Sequence, residues 1–427
     1  MERNTRERLL ELVEENDVEF IRLQFTDMLG NLKNIAITSG QLEEALDHRC
    51  LVDVSSIAGF REEEDADMYL YPDPDTFVIL PWRPQQGRVA RLLCDIYTPE
   101  QEPYAMCCRQ ILERVLTEAR EEGYSFYVEP ECEFFLFHTD ENGLPTTLTH
   151  ERAEYLDIGP VDFGENARRD IVLNLEEMGF EVTSSHHESA PAQHEVDFRT
   201  GKAMKTADMI MTFKMAVRSI AKRHGLHATF MPKPRTDLNG SGMHIHMSLW
   251  KNGKNVFYDP DDERGLSQEA YYFLGGLLHR CRSMAVFTNP LVNSYKRLQP
   301  GYDAPTRISW QSQDRSALIR LPRRIKEDPR IELRSPDAAS NPYLVFALCL
   351  AAGLEGIRQK RLPEKEQEDS LPENLKEAIW EAERDPWLSH VLGEKFLKRY
   401  LEEKKGEWKE YAKQVSQWER ELYLYRY

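Results

Sequence analysis

The chain has 427 residues, 41% hydrophobic and 30% charged, and its 73 Asp and Glu outnumber 55 Lys and Arg to leave a formal charge of −18. That length exceeds a single hydrophobic core and predicts two domains, one small and one large. The acidic balance argues against a general nucleic-acid binder, and no run of about 18 apolar residues is available to span a bilayer. The N-terminus lacks the apolar stretch of a secretory signal, and the seven cysteines contain no Cys-x-x-Cys pair. The expected compartment is therefore the cytoplasm, with core thiols rather than a disulfide framework or a zinc finger.

Residues 5–15 have Leu9, Leu10 and Val13 at helical spacing. Two extended runs, Phe20–Phe25 and Leu32–Ile37, flank Asp27-Met-Leu-Gly-Asn31, which predicts a hairpin. Thr76–Leu80 and Val89–Ile96 complete a small sheet domain, while Leu51–Phe60 and the acidic run from Glu62 to Asp67 lack periodicity and are expected to form a loop. Thr98–Pro103 reads as a linker, dividing the chain into 1–103 and 104–427. Helices are predicted over 109–122, 165–178, 203–224, 271–284 and 343–357, three of them stopped by Gly123, Gly179 and Gly225. The tail from Leu375 to Trp418 alternates in charge and predicts outer helices. Neither a Walker phosphate loop nor a Gly-x-Gly-x-x-Gly turn is present.

The chemistry gathers in four segments. Strand side chains alternate between faces, so in Glu129–Phe137 the carboxylates of Glu129, Glu131 and Glu133 point one way while Cys132, Phe134 and Leu136 point the other. Gly242–Leu249 alternates likewise, with His244, His246 and Ser248 opposite Met243, Ile245, Met247 and Leu249. Arg330, Glu332 and Arg334 lie opposite Ile331 and Leu333, and Ser185–Phe198 offers Glu188 and Glu195 around Pro191. Strands that are polar in front and apolar behind predict one site, where converging carboxylates would repel unless cations sat among them. Lys296 to Arg334 holds ten basic against five acidic side chains, the composition of a local site for a carboxylate or phosphate.

Taken together and in order, these segments resemble the glutamine synthetase family in its bacterial and archaeal type I form. The similar stretches include Asp67–Pro72, Glu131–Phe135, His187–Glu195, Asn239–His244, Asn293–Tyr302, Asp314–Ser316 and Arg330–Asp337. The resemblance implies an α+β protein: an N-terminal β-grasp domain, and a catalytic domain built on a curved antiparallel sheet flanked by helices. It implies a homododecamer of two hexameric rings with active sites between subunits, and ATP-dependent joining of ammonia to the γ-carboxylate of glutamate. It also implies two or more Mg²⁺ or Mn²⁺ ions per site. By the family pattern one metal is held by Glu133, Glu188 and Glu195, the other by Glu131, His244 and Glu332; Glu129 has no metal role. Arg315 and Arg334 act at the phosphates with His246, and Arg297 and Arg320 hold glutamate beside Asn239 and Gly240. Phe198, Ser248 and Arg330 belong to the ATP site. Asp53 and Asp303 bind ammonium and remove its proton. His186, His187 and His194 are expected to be structural.

Three positions depart from the family pattern. Its Asp-Gly-Ser-Ser loop is Asp53-Val-Ser-Ser56, its Ala-Pro-Gly-Gln is Ala190-Pro-Ala-Gln193, and its Pro-Gly-Tyr-Glu flap is Pro300-Gly-Tyr-Asp303. Val54 stands where glycine is free to take φ > 0. Asp303 keeps the charge but is one methylene shorter, which leaves room for a larger amine. The alternatives are thus a γ-glutamyl-amine ligase on the same scaffold, acting on a polyamine, an alkylamine or ethanolamine, and a non-catalytic regulatory paralogue. The stretch after Lys360 lacks the tyrosine-bearing loop that one branch of the family adenylylates, so no such control is expected.

Overall fold

The structure, a computed structural model, describes residues 5–60, 67–83, 86–312, 316–322, 328–364 and 366–427. In the first hundred residues α1 (Arg6–Glu15) leads into β1 (Val18–Thr26), β2 (Leu32–Thr38), a short α2 (Leu42–Leu46), β3 (Cys50–Asp53), β4 (Asp67–Ile79) and β5 (Arg88–Tyr97). Asp27 makes the predicted hairpin turn: its carboxylate accepts the backbone N–H groups of Leu29 and Asn31 at 3.0 and 2.8 Å, and Gly30 takes φ +85°. The sheet order is β2-β1-β5-β4-β3 with the central pair β1 and β5 parallel. The loop expected over Leu51–Phe60 needs correction, because Cys50–Asp53 pairs antiparallel with residues 67–70 of β4. It is an edge strand of four residues, too short for alternation to show. Most of the acidic run after Glu62 lies outside the described residues.

The rest of the chain runs through α3 (Cys108–Glu121), β6 (Ser125–His138), α4 (Glu165–Glu177), β7 (Val182–His187), β8 (Gln193–Phe198), β9 (Gly201–Lys202), α5 (Ala203–Arg223), β10 (Leu226–Thr229), β11 (Met243–Lys251) and β12 (Lys254–Asn255). It continues with α6 (Gln268–Thr288), α7 (Ser294–Arg297), β13 (Arg307–Gln311), β14 (Ile319–Arg320), β15 (Ile331–Leu333), α8 (Pro342–Gln359), β16 (Glu366–Ser370), α9 (Leu375–Glu383), α10 (Pro386–Leu392), α11 (Glu394–Tyr411) and α12 (Gln417–Tyr423). A long curved sheet runs β7-β8-β6-β11-β15-β14-β13-β16, with β9 and β10 added to β6 and β12 to β11. It is antiparallel apart from the parallel pair β13 and β14, so the fold is α+β with a mixed rather than a purely antiparallel sheet. None of the described helices is long and apolar enough to cross a membrane.

The apolar face of the sheet is covered by α5, where Phe213 packs against Phe134 and Phe198 with ring centroids 5.9 Å from each. Truncating such a ring to alanine costs about 3–5 kcal/mol. Behind this layer α6 and α8 meet backbone to backbone. A Cβ on Gly276 would lie 2.0 Å from the Ala352 carbonyl and one on Gly356 2.1 Å from that of Tyr272, so only glycine fits at either contact. The small sheet is tied to α5, the helix behind the large sheet, by Arg109 of α3. Its guanidinium bonds Asp95 of β5 at 2.9 Å, Asp73 of β4 at 2.6 Å and Asp208 of α5 at 3.1 Å, and Asp208 also accepts the Tyr343 hydroxyl at 2.7 Å.

Candidate active site

The four polar-faced segments are neighbouring strands of the large sheet, in the order β15-β11-β6-β8-β7. Register then sets the site. Glu332 lies opposite His246, His244 opposite Glu131, Glu133 opposite Glu195, and Glu195 opposite His186. Rows of this kind bring Cβ atoms within about 5 Å, so side chains distant in sequence project together. Most of them line a cavity of about 290 Å³.

Its two halves differ electrostatically. In the first, Glu131 faces His244 Nδ1 at 3.0 Å and His246 Nε2 at 2.6 Å. Glu332, fully buried, accepts from Arg334 Nη1 at 2.7 Å and from Arg320 Nε. Burial works against these two charges, but the facing imidazoles outweigh it and hold both carboxyls below the usual range, with Arg334 assisting at Glu332. His244 and His246 both approach this pair, so the structure brings His246 to the carboxylates as closely as it brings His244.

In the second half Glu133, Glu188 and Glu195 stand with His186, whose Nε2 is 3.4 Å from Glu188 and 3.7 Å from Glu195. Glu133 accepts the Gly242 N–H at 2.8 Å and the Gln193 side-chain N–H at 3.0 Å on one oxygen. Burial, reinforced by the neighbouring carboxylates, pushes Glu133, Glu188 and Glu195 above the usual range. Asp197 beside them is pushed up to about 7, burial first and then Glu131 being the causes. Crowded carboxylates with too little positive charge are the donor set that a hard divalent cation satisfies. Two groups have ligand atoms within 4.8 Å of one another: Glu131–His246–Glu332, where arginines and imidazoles already compensate the carboxylates, and His186–Glu188–Glu195, which has this deficit. A third such group, Glu151–His187–His194, lacks it. His187 engages the Glu188 carbonyl at 2.6 Å and Glu151 at 2.8 Å, and His194 Nδ1 accepts from Arg168 at 2.8 Å.

Beyond Glu133 the polar face of β6 ends, since Phe135 and Phe137 stack at 5.2 Å and pack against Ala190 and Ala192 of the turn between β7 and β8. At the far wall Asn239 donates to Asp303 at 2.8 Å. Asp303 sits in a flap where Gly301 and Asp303 take φ +88° and +51°. Arg297 is buried beneath Gly240 and Gly242, where a Cβ on Gly242 would come within 2.4 Å of its Nη2. Its guanidinium donates to the carbonyls of Ser335, Pro336 and Arg334 at 2.8, 3.3 and 3.1 Å.

Most of the residues singled out in the sequence are therefore gathered: Glu131, Glu133, Glu188, Glu195, Asn239, Gly240, His244, Arg297, Asp303, Arg320 and Arg334 line the cavity, with His246 and Glu332 against Glu131. Others are not. Asp53 is exposed on β3 of the small sheet, where it accepts the Ser55 N–H at 2.8 Å, and it does not line this cavity. Phe198 is fully buried in the aromatic core, so its ring cannot meet a ligand in the cavity. Ser248 is buried and accepts from Trp250 at 3.0 Å. Arg330 is clamped by Asp328 and Glu129, its Nε, Nη1 and Nη2 all engaged, which removes it from direct phosphate contact in this conformation. Glu129, selected by alternation and left without a metal role, thus has a structural partner. Arg315 lies outside the described residues. Val54 is buried and is not in the left-handed region. His186, Asp197 and Tyr155 line the cavity without having been selected; extending the period of two along β7 and β8 marks His186 and Asp197, and nothing local marks Tyr155.

A family model described as the glutamine synthetase β-Grasp domain matches residues 17–99, and one described as the glutamine synthetase catalytic domain matches residues 105–423. The chain belongs to the glutamine synthetase family. It is 52% identical to a glutamine synthetase of Clostridium saccharobutylicum, with all of both chains covered, and 51% identical to one of Methanosarcina mazei, with 98% of each covered. Among solved structures, a GmaS/ADP complex superposes with a TM-score of 0.89 at 32% identity, covering 97% of this chain and 99% of that one. The small sheet is thereby the β-grasp expected of the family.

Proposed function

We propose that this chain is a ligase that uses ATP to join ammonia to the γ-carboxylate of L-glutamate, through a γ-glutamyl phosphate, giving glutamine, ADP and phosphate. The observation that carries the reading is the convergence in one cavity of two carboxylate clusters, the arginines Arg297, Arg320 and Arg334, and the flap carboxylate of Asp303. Full-length relatives named glutamine synthetase support it. Two or more Mg²⁺ or Mn²⁺ ions, held by Glu133, Glu188 and Glu195 and by Glu131, His244 and Glu332, supply charge that offsets the phosphates of ATP and the phosphoryl group in transfer.

The chain's own groups do the rest. Asn239 and Gly240 line the wall where glutamate is placed, with Arg320 and Arg297 at its carboxylates, and Arg334 and Arg315 meet the phosphates. His246 faces the nucleotide, while Ser248, Phe198 and Arg330 belong to its site without direct side-chain contact in this conformation. A carboxylate is a poor electrophile, so phosphorylation precedes attack by the amine. Asp303 and Asp53 attract ammonium and take its proton, which requires a carboxylate within about 3 Å of the nitrogen. Asp53 comes from a neighbouring subunit of a homododecamer of two hexameric rings, and the chain divides into a small domain, 1–103, and a catalytic domain, 104–427. The compartment is the cytoplasm. Mixing Asp53→Ala chains with Glu133→Ala chains restores part of the activity in hybrid rings on this reading; a fully active monomer refutes it.

A second reading rests on Asp303. Its side chain is one methylene shorter than the family glutamate and is held by Asn239, and the likeness to a GmaS/ADP complex is close. The enzyme would then join glutamate to a larger amine. Phosphate release from ATP with glutamate, compared across ammonium, methylamine, ethanolamine and putrescine, separates the two. We expect the largest kcat/KM for ammonium, a strong loss of turnover in Asp303→Asn, and little change of preference in Asp303→Glu. A larger kcat/KM for an alkylamine, shifted toward ammonium by Asp303→Glu, gives the second reading. No phosphate release with any amine would make the chain the non-catalytic paralogue.

A further inference from the structure

The turn that carries half of the site is held in an unfavourable shape. Between β7 and β8, the Glu188 N–H donates to the Gln193 carbonyl at 2.8 Å and the Gln193 N–H to the Ala190 carbonyl at 2.9 Å. Closing this turn puts Ala192 at φ +67°, the left-handed region that glycine adopts freely and a Cβ disfavours. Ala192 stands where the family pattern has glycine. It is buried, its carbonyl accepts the Leu136 N–H at 2.8 Å, and its own N–H is donated to the carboxylate of Glu151.

Glu151 is buried outside the cavity and is not among its lining residues. The oxygen that accepts from Ala192 also faces His187 Nε2 at 2.8 Å, and the other accepts the Phe163 N–H at 2.9 Å. His187 precedes Glu188 and its Nδ1 lies 2.6 Å from the Glu188 carbonyl. One buried carboxylate therefore ties the strand end before Glu188, the strained residue of the turn and the loop at Phe163. Without it the Ala192 N–H would be buried and unpaired, the state that backbone donors avoid.

We propose that Glu151 is a positioning residue that compensates for alanine at 192, fixing the turn so that Glu188 and Glu195 face the same point. The inference rests on the metal-binding reading given above. It is tested by Mn²⁺ binding to the full-length protein, followed by loss of the free-ion electron paramagnetic resonance signal, for the wild type, Glu188→Gln, Glu151→Gln, Ala192→Gly and the double variant Glu151→Gln/Ala192→Gly. Positioning groups around metal ligands are typically worth about 10- to 100-fold in affinity. Glu151→Gln is expected to weaken Mn²⁺ binding by about that factor, with activity returning at saturating Mn²⁺. The double variant, compared with Ala192→Gly alone, should show only part of that loss, because glycine takes the left-handed conformation without strain although its N–H still loses the carboxylate.

Wild-type affinity in Glu151→Gln overturns the inference, and so does an equal loss with alanine or glycine at 192. If Glu151→Gln does not fold, Glu151→Asp takes its place in the same cycle, with the same outcomes deciding. Equal Mn²⁺ binding by the wild type and Glu188→Gln would overturn the metal reading and the inference with it. A Glu188→Gln defect beside an unaffected Glu151→Gln overturns the inference alone.

Discussion

Glu332 and Glu195 occupy the same sheet, one against Glu131 behind the cavity and the other lining it, yet their surroundings are opposite. Glu332 is met by Arg320, Arg334 and two imidazoles, whereas among the described residues Glu195 is met by Glu133, Glu188 and Asp197, with His186 at 3.7 Å. One half of the site carries its own compensating charge and the other is built to receive it. Buried carboxylates are tolerated either way, but only the first arrangement contributes to folding by itself.

The largest test removes a carboxylate from each half. Glu133→Ala and Glu332→Ala should each lower ATP-dependent ligation by about 100- to 1000-fold, the scale of deleting a group that stabilises charge in a transition state. Steady-state assays of soluble protein measure this, and full activity in either variant would break the equivalence of the halves in catalysis.

Stability should separate what activity does not. Glu332→Gln leaves Arg320 and Arg334 without their shared carboxylate and should cost about 3 kcal/mol or more. Glu195→Gln relieves like-charge crowding and should raise the melting temperature of protein kept in chelator. Equal losses in both variants would erase the distinction.

The pH dependence follows with a smaller amplitude. Asp197 rises from an ordinary 3.8 to about 7, and Glu133, Glu188 and Glu195 are raised as well. Groups with raised native values hold more protons folded than unfolded, so their contribution is present below pH 4 and lost as pH climbs to about 7. Glu131 and Glu332 are lowered and act oppositely, losing their contribution as pH falls below their ordinary 4.5. Chelated protein should therefore lose stability between about pH 4 and 7 in thermal melts, and Mn²⁺ should flatten that slope. The smallest effect is expected for His186→Ala, about tenfold or less in Mn²⁺ affinity, since His186 stands at 3.4 Å or more from either carboxylate.

Alternation within single strands made most of this site legible, because Glu131, Glu133, His244 and Glu332 are placed by local geometry and by the apolar residues between them. What escaped depended on partners far along the chain. The Glu129 and Asp328 clamp on Arg330 joins β6 to the segment before β15. Phe135 and Phe137 share the parity of Glu131 and Glu133 but are roofed by the 190–192 turn, so the division of β6 into oil and acid holds only along part of it. Among the described residues the strand Cys50–Asp53 has a partner on one side alone, and the ring of Phe198 was drawn into the core by Phe180 and Phe213.

Arg109 has a consequence for handling the protein. The stretch Thr98–Pro103 is where composition divides the chain, and an exposed loop there invites a protease. Yet the guanidinium that follows it grips aspartates of the small sheet on one side and of α5 on the other. A nick in the linker should leave two fragments that travel together through a sizing column and come apart only in denaturant, so the peptide bond there is a join in the sequence without being a hinge in the molecule.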